Sequence, residues 1–350
     1  MRIFIHTRTK LPLTPDVLLV TIKALVIEYT KHEACQISIV GSHIPETLVH
    51  FCALHKQVTC ITPKEAIHLY KLTNEAKILH FGINIKAAGN IPVFFIPLDL
   101  PNGGRKISIL PSLINTWQCK QWVKNAKQVL CINDWVYTKL KTLYPAASSQ
   151  FRTIHLPHLP LPGFEWKELQ ETKETLTKGV PYFLCFAPQT RFVAILKEFS
   201  IFKKWQQTTM NLVFVFDNER DISAATAQLK GYKFKDAVIL LHTANFKHAW
   251  LAAAYVILWE GISFSKCFWA IAAIEFEVPL LFDTGIDLPS SWSKAGEVFS
   301  FTEKLALSNH FKLYYKDELY RQASANKGKI WLTQLNEKAL ARERAGILDN

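Results

Sequence analysis

Short apolar runs alternate with longer amphipathic stretches along the chain, and the alternation comes in two successive sets. A strand whose residues are nearly all apolar must be covered on both faces, the condition of a parallel sheet wrapped by helices. The first set reads as strands at Ile3–His6, Gln36–Val40, Val58–Ile61, Ile78–Phe81, Val93–Ile96, Gln128–Ile132 and Thr153–His155, with helical patterns such as Asp16–Tyr29 and Ser112–Lys124 between them. The second reads as strands at Tyr182–Phe186, Leu212–Phe216, Val238–Leu241, Tyr255–Leu258 and Pro279–Phe282, with helical patterns at Phe192–Lys204, Ile222–Leu229, Lys247–Ala254 and Phe264–Glu275. This spacing suits βαβ units. Between the sets lies His155-Leu-Pro-His-Leu-Pro-Leu-Pro-Gly-Phe, whose prolines can continue neither a helix nor an internal strand.

The expected organisation is an α/β chain of two doubly wound parallel-sheet domains. An N-terminal domain covers 1–160, a linker and polar helix 161–179, a C-terminal domain 180–329 and a terminal helix 330–350. A short strand at Val298–Phe301 and three helical stretches close the pattern, with Ile330, Trp331 and Leu335 expected to pack on a domain surface. The length of 350 residues agrees, since it exceeds what one ordinary core holds.

Composition narrows the partners. Apolar residues make up 49% of the chain and charged residues 20%, the balance of a compact globular protein. The formal charge of +12 suits an anionic partner, whether nucleic acid, membrane surface or phosphorylated small molecule. Basic residues are dispersed singly or in pairs such as Lys203-Lys204, without the runs and aromatic interleaving of an RNA-binding surface, so nucleic acid ranks last. The seven cysteines (Cys35, Cys52, Cys60, Cys119, Cys131, Cys185 and Cys267) stand singly with no C-x-x-C pair. Buried, reduced thiols in a cytoplasmic protein are expected, not disulfides or zinc. His6, Thr7, Arg8 and Lys10 interrupt the first apolar run, and no export signal is expected. The most apolar stretch, Trp250–Trp259, has about half the length of a membrane span and is closed by Glu260. Trp205, Trp250, Trp259 and Trp269 read as helix-packing core.

Several segments of the second half follow a family pattern in order and spacing. They are Tyr182-Phe-Leu-Cys-Phe, Leu196-Lys-Glu-Phe-Ser-Ile-Phe-Lys-Lys, Asn211-Leu-Val-Phe-Val-Phe, Lys235-Asp-Ala-Val-Ile-Leu-Leu, Ala252-Ala-Ala-Tyr, Val278-Pro279 and Ala295-Gly296-Glu297. Together they resemble family-four glycosyltransferases of GT-B architecture, most fully over Val180–Lys329. The first half is similar more loosely, through Ile5-His-Thr-Arg, Pro97-Leu-Asp-Leu and Val129-Leu-Cys-Ile-Asn-Asp-Trp. The resemblance implies two Rossmann-like domains facing a cleft, a nucleotide-sugar donor as substrate, a glycan or lipid-linked acceptor, and retention of anomeric configuration. It implies no cofactor and no metal, a cytoplasmic setting open to peripheral contact with an anionic inner membrane face, and no particular oligomeric state.

A metal-free site must neutralise a leaving diphosphate with Arg, Lys and helix N-termini. In the resembling family an Arg and a Lys in the loop after the second domain's first strand do this. Here that loop is the shorter Ala187-Pro-Gln-Thr-Arg191, so Arg191 is the donor-binding candidate and the Lys lacks a counterpart. The plainer reading of Arg191 is a solvated residue in a helix's first turn. Asp217-Asn-Glu-Arg-Asp reads as a strand-ending turn, not a metal-binding Asp-x-Asp.

The family's Glu-x7-Glu pair is missing. With Tyr255 and Pro279 held in register, its two positions become Phe264 and Ala272, and sliding the motif to Glu260 places Phe268 where the second Glu belongs. Glu260 is nevertheless a catalytic candidate, because it follows an apolar strand where parallel sheets place ligand-binding residues. Its other reading is an acid stabilising the dipole of the helix after Ser263. Asp99, the second catalytic candidate, matches the Asp of the family's His-Asp pair, but Leu98 replaces the His. His6 reads as a core-edge residue, and Lys10-Leu-Pro-Leu-Thr-Pro15 replaces the family's glycine-rich loop. Two functions stand: a glycosyltransferase, or a catalytically degenerate relative that binds or scaffolds beside an active partner.

Overall fold

The computed structural model describes residues 1–7, 15–73, 75–81, 91–97, 118–131, 134–154, 163–259, 264–284 and 292–344. The chain divides into two compact units, Met1–Leu159 with Asn336–Asn350, and Pro160–Leu335.

In the first unit seven strands form one sheet: β1 (Arg2–His6), β2 (Gln36–Val40), β3 (Val58–Ile61), β4 (Ala76–His80), β5 (Val93–Phe95), β6 (Gln128–Cys131) and β7 (Phe151–Thr153). Their order is β3-β2-β1-β4-β5-β6-β7, and every pairing is parallel. The connecting helices are α1 (Pro15–Thr30), α2 (Glu46–Ala53), α3 (Pro63–Leu72), a helix over 118–125 (α4) and α5 (Asp134–Leu143). The central strands bury Ile3, Phe4, Ile5, Ile37, Ile39 and Ile78 completely. Local chemistry sets the start of α3: Pro63 needs no helical N–H partner, Thr62 accepts from Glu65 N, and Glu65 Oε2 takes the Thr62 N–H at 2.6 Å.

The second unit holds β8 (Tyr182–Phe186), β9 (Asn211–Phe216), β10 (Val238–His242), β11 (Ile257–Trp259), β12 (Leu280–Asp283) and β13 (Glu297–Phe299). Their order is β10-β9-β8-β11-β12-β13, again parallel throughout. The helices are α6 (Trp166–Thr177), α7 (Gln189–Gln206), α8 (Glu219–Leu229), α9 (His248–Ala252), α10 (Phe264–Glu275), α11 (Ala306–Lys316) and α12 (Glu318–Arg344). All five residues of β8 are fully buried, as a central strand covered on both faces must be.

Aromatic side chains fill the layer between this sheet and α7 and α11. Phe183 stacks on Phe311 at 4.5 Å between centroids and meets Phe202 edge-on at 5.3 Å. Polar ties lock the two helices together, with Ser308 N donating to Glu198 Oε2 at 2.9 Å and Ser308 Oγ to the Glu198 carbonyl at 3.0 Å. The mostly buried Lys203 Nζ donates to the Thr208 and Met210 carbonyls, which satisfies backbone acceptors where α7 ends in the left-handed Gln207.

Several expectations shift by a residue or a face. The strand expected at Tyr255–Leu258 lies at Ile257–Trp259, and the turn expected after β9 is present, with Asn218 capping α8 by accepting from Asp221 N at 2.8 Å. Two helices, not three, close the chain, the second running Glu318–Arg344. Trp331 and Leu332 are buried on it while Ile330 is 60% exposed, because Trp331 packs on Trp292 at 4.6 Å and turns its neighbour outward. Trp205 is also exposed, at the solvent end of α7, whereas Trp269 is core. Among the described cysteines Cys60 alone is exposed.

Gly296 precedes β13 where it meets β12. A Cβ there would stand 2.4 Å from the Leu280 carbonyl oxygen and 2.9 Å from its carbon, both backbone atoms that cannot rotate aside. Gly296→Ala is expected to cost about 2 kcal/mol of stability, measured as a lower urea midpoint at unchanged slope.

Candidate functional site

In an open parallel sheet the ligand-binding crevice lies at the C-terminal ends of the strands, where the strand order reverses direction. In the second unit that point falls between β8 and β11. Strand β8 ends at Phe186, the chain turns through Ala187 and Pro188, and α7 begins at Gln189. Arg191 therefore sits in the first turn of α7, at the positive end of the helix dipole, where the four leading N–H groups lack intrahelical acceptors.

The Arg191 side chain is partly exposed at 40% and turns toward β12. Its Nη2 lies 3.7 Å from Oδ2 of Asp283, an ion pair too long for a hydrogen bond. Its Cζ stands 5.0 Å from the centre of the Phe301 ring, a cation–π contact that orients the guanidinium. Asp283 is the last residue of β12 and is 1% exposed. Sequence reasoning passed over it, because its place after the apolar run Pro279–Phe282 does not show which residue it will meet.

The end of β8 itself is apolar. The Phe186 ring packs against Trp269 of α10 at 5.2 Å and Phe246 at 5.4 Å, and those two rings meet at 4.8 Å. Ala272, at the second position of the absent Glu-x7-Glu pair, is completely buried on α10, and Phe264 is that helix's first residue. Glu260 and Asp99, the two catalytic candidates, lie outside the described residues, as do Leu98 and the loop from Lys10 to Thr14. Among the described residues no group of three or more His, Cys, Asp or Glu side chains is placed to hold a metal ion. No helix among them is long and apolar enough to cross a membrane.

In the first unit the order reverses between β1 and β4, and each of these strands ends in a histidine, His6 and His80. His6 Nε2 lies 2.7 Å from Tyr70 Oη of α3, and His80 stacks on Phe95 at 5.2 Å. Burial pushes the His6 imidazole down to about 4, and burial with the neighbouring His6 pushes His80 down to about 3. Both rings are therefore neutral at physiological pH.

No family model and no curated protein matches the sequence. Solved structures do match the architecture. Anabaena HepE, crystallised with UDP and glucose, superposes with a TM-score of 0.64 at 10% identity, covering 99% of this chain and 100% of its own. A glycosyltransferase from Rickettsia africae gives 0.63 at 12% identity, with 98% of each chain covered. This chain has the GT-B fold. The UDP-GlcNAc 2-epimerase of Neisseria meningitidis, bound to UDP-GlcNAc, also superposes, with a TM-score of 0.56 at 13% identity over the whole of both chains. A shared architecture thus accompanies different chemistries, and the GT-B fold does not say which of them a chain performs.

Folding holds His6 and His80 neutral, while in the unfolded chain each takes up a proton near the ordinary value of 6.5. The stability they allow is complete above about pH 6.5 and drains as the pH falls toward 4 for His6 and toward 3 for His80. A loss on the order of 3 kcal/mol from each imidazole by pH 4 is expected from urea unfolding of the chain, and His80→Gln should flatten the profile.

Proposed function

We propose that this chain is a glycosyltransferase that binds a nucleotide-sugar donor on its second unit and transfers the sugar to a glycan or lipid-linked acceptor. The observation that carries this reading is Arg191. It combines a guanidinium with a helix N-terminus at the strand-order reversal, the arrangement that neutralises a diphosphate without a metal. The UDP and UDP-sugar complexes of HepE and the epimerase, which share the fold, support a UDP-linked donor as the first to test. Retention of configuration follows from the sequence resemblance, with Asp99 and Glu260 as the candidate carboxylates near the reacting sugar. The reaction belongs in the cytoplasm, at the inner membrane face when the acceptor is lipid-linked, where the +12 charge favours contact with anionic lipid.

A second reading, a degenerate relative acting as a binding or scaffold protein, is supported by the aromatic packing around Phe186 and the buried Ala272. The missing Glu pair would have supplied fixed acceptors for a ribose and a group near the donor sugar. At the Ala272 position an apolar interior stands instead.

Calorimetric titration with UDP-, GDP-, ADP- and CDP-linked sugars separates the two. The glycosyltransferase reading expects one donor to bind and Arg191→Ala to weaken it by about 1.5–3 kcal/mol, the loss of a charge-assisted contact. Nucleotide release on adding an acceptor extract then reports turnover. Absence of binding by every donor at millimolar concentration leaves the scaffold reading.

A further inference from the structure

The guanidinium on which the proposed donor site relies already faces an anion of the protein's own. Asp283 Oδ2 is 3.7 Å from Arg191 Nη2, and Phe301 holds the guanidinium beside it. Strand β12 lies between β11 and β13, paired on both edges, so the backbone that carries Asp283 cannot swing aside. Being 1% exposed, the carboxylate is not screened by solvent either. An exposed acid at the same spot could rotate away from an arriving phosphate, but this one stays.

We infer that Asp283 is a specificity-determining residue that sets how much negative charge the Arg191 site accepts. Without ligand it pairs with the guanidinium. A phosphate drawn to Arg191 comes beside a buried carboxylate of like charge, so each added negative charge meets a larger penalty. The site therefore holds a diphosphate less tightly than an Arg at a helix N-terminus otherwise would, and favours release of a charged product. The inference rests on the reading of Arg191 as the donor-phosphate contact. A purely orienting role for Asp283 predicts the opposite sign, since its removal would then loosen the phosphate's partner.

The test is calorimetric titration of the wild type, Asp283→Asn, Arg191→Ala and the double variant with uridine, UMP, UDP and inorganic pyrophosphate at constant ionic strength. Asp283→Asn is expected to bind UDP and pyrophosphate about tenfold more tightly than the wild type, UMP by a smaller factor and uridine unchanged. Adding Arg191→Ala should abolish the gain. Weaker UDP binding by Asp283→Asn, or an equal gain for uridine, overturns the inference. Wild-type UDP binding that Arg191→Ala weakens but Asp283→Asn leaves untouched overturns it as well, while the donor reading stands. If neither UDP nor pyrophosphate binds any variant at millimolar concentration, both fall, because removing a neighbouring negative charge should have favoured the anion. Should thermal unfolding show that Asp283→Asn does not fold, Asp283→Ser removes the same charge and is read in the same way.

Discussion

The parallel hydrogen-bond ladder is the constraint from which the rest of this structure follows. Each pairing in the two sheets is parallel, from Ile3 against Ile37 in the first to Leu258 against Cys185 in the second. A parallel strand must hand the chain to a crossover before its neighbour can pair, and the helices of those crossovers cover both faces. The side chains of β8 are thereby committed to the interior, and Phe183 can be held by Phe202 and Phe311 at once. Polar chemistry is driven out of the strands and onto their C-terminal ends.

Those ends are used differently in the two units. In the second, the reversal of strand order brings together a cation, a buried anion and a set of rings: Arg191 with Asp283, and Phe186 with Trp269 and Phe246. In the first it brings together two neutral imidazoles and a phenol. The contrast is electrostatic. Arg191 remains charged whatever surrounds it, and Asp283 forms an ion pair with it. His6 and His80 lose their charge on burial instead, with the Tyr70 hydroxyl against the first ring and Phe95 stacked on the second.

Much of the architecture was legible because buried parallel strands are written as nearly continuous apolar runs. Tyr182–Phe186 was read to the residue, and so were Gln36–Val40 and Val58–Ile61. Errors fell where the signal is weakest. Trp205 and Ile330 are as apolar as any core residue, but helical register against a neighbour, not composition, put them in solvent. For the candidate site, Arg191 and the positions of the missing Glu pair were singled out by the family resemblance, through the loop after the first strand of the second half and the register between Tyr255 and Pro279. Asp283 was not, because an acid at the end of an apolar run acquires meaning only when the residue beside it is known, and Arg191 lies 92 positions earlier (283 − 191).

The amino-acid sequence by itself determined that two α/β units of parallel strands would form, that a cation would follow the first strand of the second, and that neither carboxylate of a Glu-x7-Glu pair would be present. The units are a matter of periodicity, which local chain geometry reads directly, and the missing pair is a matter of comparison with the resembling family. Tertiary structure alone decided the company each of those residues keeps. It set Arg191 between Asp283 and Phe301, filled the end of β8 with Trp269 and Phe246, and brought His6 and His80 together on neighbouring strands. The physical reason is strand order: the crossovers make neighbours of strand ends far apart in the chain, and no local pattern records which ends will meet.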